Sequence, residues 1–276
     1  MRCDVNKSAR HKPVRALSRG LTILQILNRE GPLSVQELSN LSALNRTTVY
    51  RLLETLERDG FVQSGVLSSS LWHLTMDVKS LSEGYDHRDW VTQLGAPVLG
   101  KLLKKVIWPT DLAAFDGKGM LIRETTHKFS PLSNHRSMVG VRWPVLSSSL
   151  GRAFFCYSDE KTRTSILRVL KTSDDPADRV AKDQTHVDSL VRMTRERGYA
   201  QSIDETAQGI SSIARPVFFQ GQVVASINMV FFSSALVPKV AADKHLSEIN
   251  QAVAELEENL MDSSDVFKLQ LEDKPY

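Results

Sequence analysis

The sequence predicts an α+β protein of two domains, an N-terminal winged helix-turn-helix followed by a domain of mixed helices and strands. Three observations predict it. The chain has 276 residues, long for a single core and comfortable for two. From Leu17 to Leu74 the pattern is helix, short helix, tight link, longer helix and two short strands. Beyond Trp108 strand-like and helix-like segments alternate irregularly, as in an antiparallel sheet with helices packed on it.

Composition narrows the class. Hydrophobic residues make up 41% and charged residues 24%, the balance of a globular rather than a disordered chain. No apolar run approaches about 18 residues, so no membrane-spanning helix is expected. The opening MRCDVNKSARHKPVR has no apolar stretch of the signal-peptide kind. Cys3 and Cys156 lie far apart and form no metal spacing, which points to a reducing, cytoplasmic setting. The net charge is +3, but Arg2, Lys7, Arg10, Lys12, Arg15 and Arg19 crowd the first twenty residues against one acid, Asp4. Such an arm suits a polyanion such as DNA, and on charge alone it equally suits a solvated tail.

The first helix is expected from about Leu17 to Asn28, with Leu17, Leu21, Leu24 and Leu27 on one face, and Gly31-Pro32 stops it. The second opens at Ser34, where Ser34 and Glu37 have capping-box spacing, and Leu38 and Leu41 give its apolar face. After Ser42-Ala43-Leu44, Asn45 caps a third helix with Val49, Leu52, Leu53 and Leu56 as its stripe and Gly60 as its end. The polar face of that helix opens without an acid. Arg can fork onto guanine, Thr can meet a base edge or a phosphate, and a helix N-terminus favours a phosphate oxygen. The candidate DNA-binding residues are Ser34, Asn45, Arg46, Thr47, Thr48, Tyr50 and Arg51. A plain three-helix packing unit would not call for this acid-free turn. Phe61-Val62-Gln63 and Leu71-Trp72-His73-Leu74, around a tip without Lys or Arg, read as a wing.

RALSRGLTILQILNREGPLSVQELSNLSALNRTTVYRLLETLERDGFV resembles the winged helix-turn-helix of IclR-type regulators. PVLSSSLGRAFF and RGYAQSIDETAQGISSIARPVF resemble two later segments of the same family, in family order. The resemblance runs from about Arg15 to about Leu260 and implies a GAF-like effector-binding domain behind the winged helix. VIWPTDLAAFD, IRETTHKFSPLSNHRSMVG and NMVFFSSA are similar, within the family, to activators of 3-(3-hydroxyphenyl)propionate degradation.

The expected domains are residues 14–76 for the winged helix, 77–106 for a linker and bridging helix, and 93–262 for the effector-binding domain. The bridging helix, Asp89 to Val106, carries Trp90, Leu94, Val98, Leu102 and Val106 at four-residue spacing around Pro97. Asp111 to Phe115 and Met120 to Glu124 flank a hairpin turn. Helices are expected at Ser149 to Tyr157, Ser158 to Leu170, Asp183 to Arg197 and Ala241 to Leu260. Strands are expected at Gly198 to Gln201, Ser212 to Phe218 and Val223 to Phe231.

The serine-rich turn before Gly151 offers free helix-start amides to a carboxylate. The resemblance places one pocket wall at Ser149 and Leu150, beside which Ser148 is a further candidate, another at Ile210 and Ser212, and a polar strand residue at Asn228. It aligns Ser202 with an acid found in some members, which leaves the role of Ser202 open. Asn228 also stands out by itself, as an amide inside the apolar run Val223 to Phe232. Arg136 and His135, just before the turn, are further candidates to meet an acidic effector. Cys156 reads as a core residue. No nucleophile, phosphate-loop, dinucleotide or metalloprotease motif is present, so enzyme activity, cofactor and metal are not expected. The expected partners are a palindromic DNA operator, a small organic acid, a second copy or three more of this chain, and RNA polymerase if it activates. A repressor answering to an aliphatic acid such as glyoxylate or pyruvate is the alternative within the family. A protein-binding winged-helix adaptor is the alternative outside it.

Overall fold

The computed structural model describes residues 13–65, 70–81, 90–133, 135 and 138–263. The chain divides into two compact units, Met1–Asp86 and His87–Tyr276.

The first unit contains α1 (Arg15–Glu30), β1 (Leu33–Ser34), α2 (Val35–Ser42), α3 (Arg46–Arg58), β2 (Val62–Ser64), β3 (Leu71–Leu74) and the short α4 (Met76–Ser80). The strands form an antiparallel sheet in the order β1-β3-β2, with Leu33 opposite Trp72 and Gln63 opposite His73. Ile23, Ile26, Leu27, Leu38, Val49, Leu53, Val62 and Trp72 make its core. The α3 stripe is as expected, with Val49 and Leu53 buried and Leu52 and Leu56 packed beside them. The α1 stripe is not. Leu17 is 63% and Leu21 50% exposed, while Gly20, Ile23, Ile26 and Leu27 are buried. The helix carries two overlapping apolar rows that share Leu24 and Leu27, and the buried one lies roughly a quarter turn round. Leu41 of α2 is likewise exposed, because this two-turn helix buries only Leu38.

The second unit contains α5 (Trp90–Val106), β4 (Thr110–Phe115), β5 (Met120–Thr125), β6 (Arg142–Trp143), α6 (Ser149–Tyr157), α7 (Glu160–Lys171), α8 (Gln184–Arg197), β7 (Ala200–Ile203), β8 (Ile210–Phe219), β9 (Gln222–Phe232) and α9 (Pro238–Asp262). 3-10 segments lie at His127–Phe129, a single turn, and at Pro176–Lys182, about two turns. All neighbouring strands are antiparallel, in the order β6-β5-β4-β9-β8-β7. β8 turns into β9 at Gln220-Gly221, both at positive φ (49° and 79°), the turn that matches strand twist in a two-residue hairpin.

Alternation along the strands separates two cores. Leu112, Ile213, Val217, Ile227 and Met229 join Val98, Leu99 and Leu102 of α5 and Ile249, Val253 and Leu256 of α9. Ala113, Met120 and Ile122 join Leu150, Phe154 and Phe155 of α6 with residues of α7 and α8. Asp111, next to Leu112, and Asn228, next to Ile227, therefore face the α6 side. Helix starts are capped as their sequences suggest: the Asp159 carboxylate accepts the Thr162 amide at 2.7 Å, and Asp183 that of His186 at 3.0 Å.

Candidate functional site

In the first unit the candidate site is the polar face of α3. Asn45 Oδ1 accepts the Thr48 amide at 2.8 Å and sets the start of the helix. The helix-start amides then point outward without intrahelical acceptors. Arg46, Thr47, Tyr50 and Arg51 are exposed, and Thr48 is half-buried. Val49 and Leu53 anchor the opposite side. Ser34 caps α2. Its amide donates to Glu37 Oε2 at 2.8 Å, and its hydroxyl accepts the Glu37 amide at 3.3 Å and meets the same carboxylate at 2.8 Å. The Ser34 amide, and then its hydroxyl, hold the Glu37 carboxyl below its usual range. Ser34 and Asn45 are thus committed to fixing helix starts, whereas Arg46, Thr47, Tyr50 and Arg51 present open side chains. Of the basic arm, Arg15 and Arg19 lie on α1, and residues 1–12 lie outside the described residues, as do 66–69 of the wing tip.

In the second unit a cavity of ≈ 710 Å³, its open mouth included, lies beside the start of α6. Ser148, Ser149, Leu150, Ile210, Ser212, Asn228 and His135 all line it. Arg136 lies outside the described residues. Ser202 is not brought to it. The Ser202 hydroxyl donates to the Ser147 carbonyl at 2.9 Å, so it pins the turn that leads into α6.

Each lining group has a structural cause. The Ser148 side chain accepts the Gly151 amide at 3.0 Å and donates to the Pro144 carbonyl at 2.6 Å, which caps α6. The Ser149 and Leu150 amides at the first two helical positions keep no intrahelical acceptor. Gly151 is required here because a Cβ would stand 2.2 Å from the Val145 carbonyl oxygen. Ser212 on β8 donates to the Ser149 hydroxyl at 2.7 Å and ties strand to helix. Asn228 and Asp111 are paired across β9 and β4, with the Asp111 amide donating to Asn228 Oδ1 at 2.8 Å.

Asp111, His127, Ser133 and Trp143 also line the cavity, and the sequence reading missed them. Asp111 could have been found by the signal that exposed Asn228, a polar residue in an otherwise apolar strand. His127 sits in a one-turn 3-10 segment with no periodicity to read. Aromatic Trp143, Phe231 and Phe232 and apolar Met138 and Val230 supply most of the remaining wall, and no Lys or Arg is among the described lining residues. Thr206 and Ala207 close one side from the β7–β8 loop. That loop is held by Arg152, whose Nη1 and Nη2 grip both oxygens of Glu205 at 2.7 and 2.5 Å. Arg152 also donates to the Leu146 and Gln201 carbonyls at 2.8 and 2.7 Å. Cys156 is buried behind this face, and burial pushes its thiol up to about 11. No helix among the described residues is long and apolar enough to cross a membrane, and no metal-holding cluster occurs among them.

Comparison with known proteins gives these features a family. Residues 16–65 match the IclR helix-turn-helix domain, and residues 85–257 match the bacterial transcriptional regulator IclR C-terminal domain. The chain is 24% identical over 237 residues to the HTH-type transcriptional regulator XynR of Escherichia coli (strain K12), covering 80% of this chain and 87% of that one. It is 25% identical over 218 residues to the Pca regulon regulatory protein of Pseudomonas putida, covering 78% and 73%. Among solved structures, an IclR homolog from Microbacterium hydrocarbonoxydans, complexed with 4-hydroxybenzoate, shares the fold at a TM-score of 0.57 and 20% identity, covering 89% and 99%. The family and these relatives are transcriptional regulators and not enzymes. A winged helix with an open α3 face, a second unit with a helix-start cavity, and two family domains spanning both make this chain a member of the IclR family of DNA-binding bacterial transcriptional regulators.

Proposed function

We propose that the chain activates transcription of an aromatic-acid catabolic operon in response to a small aromatic acid. The observation that carries this is the cavity itself. Ser149 and Leu150, whose amides start α6, border a space walled by Trp143, Phe231 and Phe232. The amides suit a carboxylate and the rings suit an aromatic body. The Microbacterium hydrocarbonoxydans homolog is complexed with an aromatic acid, 4-hydroxybenzoate.

Arg46, Thr47, Tyr50 and Arg51 carry the DNA contacts, with Thr48, Asn45 and Ser34 setting their helices. The chain acts as a homodimer or homotetramer on a palindromic operator, with paired α3 helices about 34 Å apart or a multiple of it. As an activator it contacts RNA polymerase. The effector biases two arrangements of the DNA-binding units through α5, and only to the extent that it binds those arrangements unequally.

The test is a thermal melt of the full chain with 3-(3-hydroxyphenyl)propionate, 3-phenylpropionate, benzoates, glyoxylate and pyruvate. The local likeness around VIWPTDLAAFD puts the first of these at the head of the panel. An aromatic acid at 100 times its Kd should stabilise the second unit by about 2.7 kcal/mol. A shift from glyoxylate or pyruvate alone would replace this reading by the aliphatic one.

A further inference from the structure

The two ends of α6 have different surroundings. Its start borders the cavity, and its end meets arginines from three other elements. Arg195 of α8 donates from Nε to the Cys156 carbonyl at 2.7 Å and from Nη2 to the Ser158 carbonyl at 3.5 Å. Arg163 of α7 donates from Nη1 to the same Ser158 oxygen. Arg215 of β8 donates to the carbonyl of Gly198, the C-cap of α8, and its guanidinium carbon stands 5.8 Å from the centre of the Tyr157 ring. Burial raises the Tyr157 hydroxyl above its ordinary value, against the pull of the Arg215 and Arg195 charges, so both cations reach one side chain. Arg163 and Arg215 are half-buried and Arg195 is exposed, so the group is open to solvent.

These arginines lack a carboxylate. Elsewhere in the unit guanidiniums meet acids: Arg152 grips Glu205, and Arg142 meets Asp116. No acid among the described residues lies within ion-pair reach of Arg163, Arg195 or Arg215. Asp159, next to Ser158, is committed to its own helix, where its carboxylate accepts the Thr162 amide. Helix ends offset part of the charge. α6 and α8 both finish here, and each C-terminus presents about half a negative charge, which leaves roughly two positive charges uncompensated. A carbonyl fixes a guanidinium without neutralising it. Each guanidinium has five N–H donors, and the carbonyls take only one or two of them.

We propose that Arg163 and Arg195, with the charge of Arg215 behind them, bind a dianionic phosphoryl group, free or carried by a small molecule. Such a group brings about −1.5 to −2 charge and three acceptor oxygens, which matches both the residual charge and the spare donors. A single carboxylate would leave about one charge over. Two forks of fixed direction suit phosphoryl oxygens better than lysine ammoniums would. The site is separate from the cavity. α6 has nine residues and is therefore about 13 Å long, with the cavity at one end and the arginines at the other. It stands whether or not the cavity takes an acid.

The test is a phosphorus NMR titration of the full chain at about pH 8, with ionic strength held constant by chloride. The ligands are inorganic phosphate, phenyl phosphate and the monoanionic dimethyl phosphate. The expected result is saturable binding of at least one dianion, with dimethyl phosphate at least tenfold weaker. Arg163→Gln and Arg195→Gln should each weaken the dianion tenfold or more. Arg179→Gln, exposed in the 3-10 segment beyond α7, should leave it unchanged. Phenyl phosphate binding as tightly as inorganic phosphate, or more so, supports the site with a phosphomonoester as occupant. Inorganic phosphate binding alone supports it with the free ion. The absence of saturable binding, equal binding of dimethyl phosphate, an equal loss in Arg179→Gln, or binding that survives Arg163→Gln and Arg195→Gln overturns it. Where Arg163→Gln fails to fold, the exposed Arg195→Gln decides alone.

Discussion

In the first unit, six of the candidate DNA contacts fall between Asn45 and Arg51, at the cap and in the first two turns of one helix. In the second, the cavity gathers Asp111, His127, Ser149, Ser212 and Asn228 from two strand pairs, a 3-10 turn and a helix start. The first site depends on local geometry: a cap, a stripe of Val49 and Leu53, and the polar residues left on the other side. The second depends on strand register, because Asp111 meets Asn228 only if β4 and β9 pair as they do. A site of the first kind is legible in a sequence window. A site of the second kind is legible only as isolated anomalies.

That difference can be tested by asking whether each site fails alone. The largest effect should come from Arg46→Ala with Arg51→Ala. On the proposed base contacts, losing both arginines should weaken operator binding by about 2–6 kcal/mol. Fluorescence anisotropy should register that loss while effector binding in calorimetry stays unchanged. An equal loss in both assays would mean the two sites are not separable.

Next in size is Arg152→Ala. It leaves the Leu146 and Gln201 carbonyls without their donor, at a cost of about 3 kcal/mol, with little added by the partly solvated Glu205. Denaturant unfolding should show it in the second unit only, with a lower melting temperature and faster effector release.

The thiol of Cys156 sharpens the same contrast through pH. Burial raises its folded value to about 11, above the ordinary thiol value of 9.0, so its neutral form is favoured by folding. The stabilisation is complete below pH 9 and is lost as the pH rises towards 11, by about 3 kcal/mol at most. Cys156→Ala should remove that part of the alkaline loss, seen as the difference between the two proteins' stability–pH curves.

The smallest effect is Asn45→Ala. Removing the cap of α3 should lower the stability of the first unit by about 1 kcal/mol. It should also reduce operator affinity by less than the arginine pair, which separates setting the helix from touching the DNA.

What the sequence alone revealed follows the same division. The capping box at Ser34, the cap at Asn45 and the α3 stripe were legible because each depends on neighbours within four residues. The buried face of α1 was misread, because a helix with leucines and isoleucines on two overlapping rows does not say which row meets the core. Asn228 was legible as an amide in an apolar strand, and Asp111 carried the same mark. His127 carried none. Ser202 was legible only as an alignment, and its hydroxyl turned out to hold a backbone turn. Arg152 and Glu205 lay in two segments that the family resemblance picked out separately. Only the fold shows that they are one ion pair bracing the wall of the cavity.

Each unit holds its own apolar core: Ile23, Leu38 and Leu53 in one, and the two clusters flanking the six-stranded sheet in the other. Heat should therefore melt the chain in two separate calorimetric transitions rather than one. A bound acid raises the transition of the unit it occupies, as operator DNA raises the other. Whatever shift the acid causes in the transition of the unit it does not touch is the coupling free energy of regulation, read directly from a thermogram.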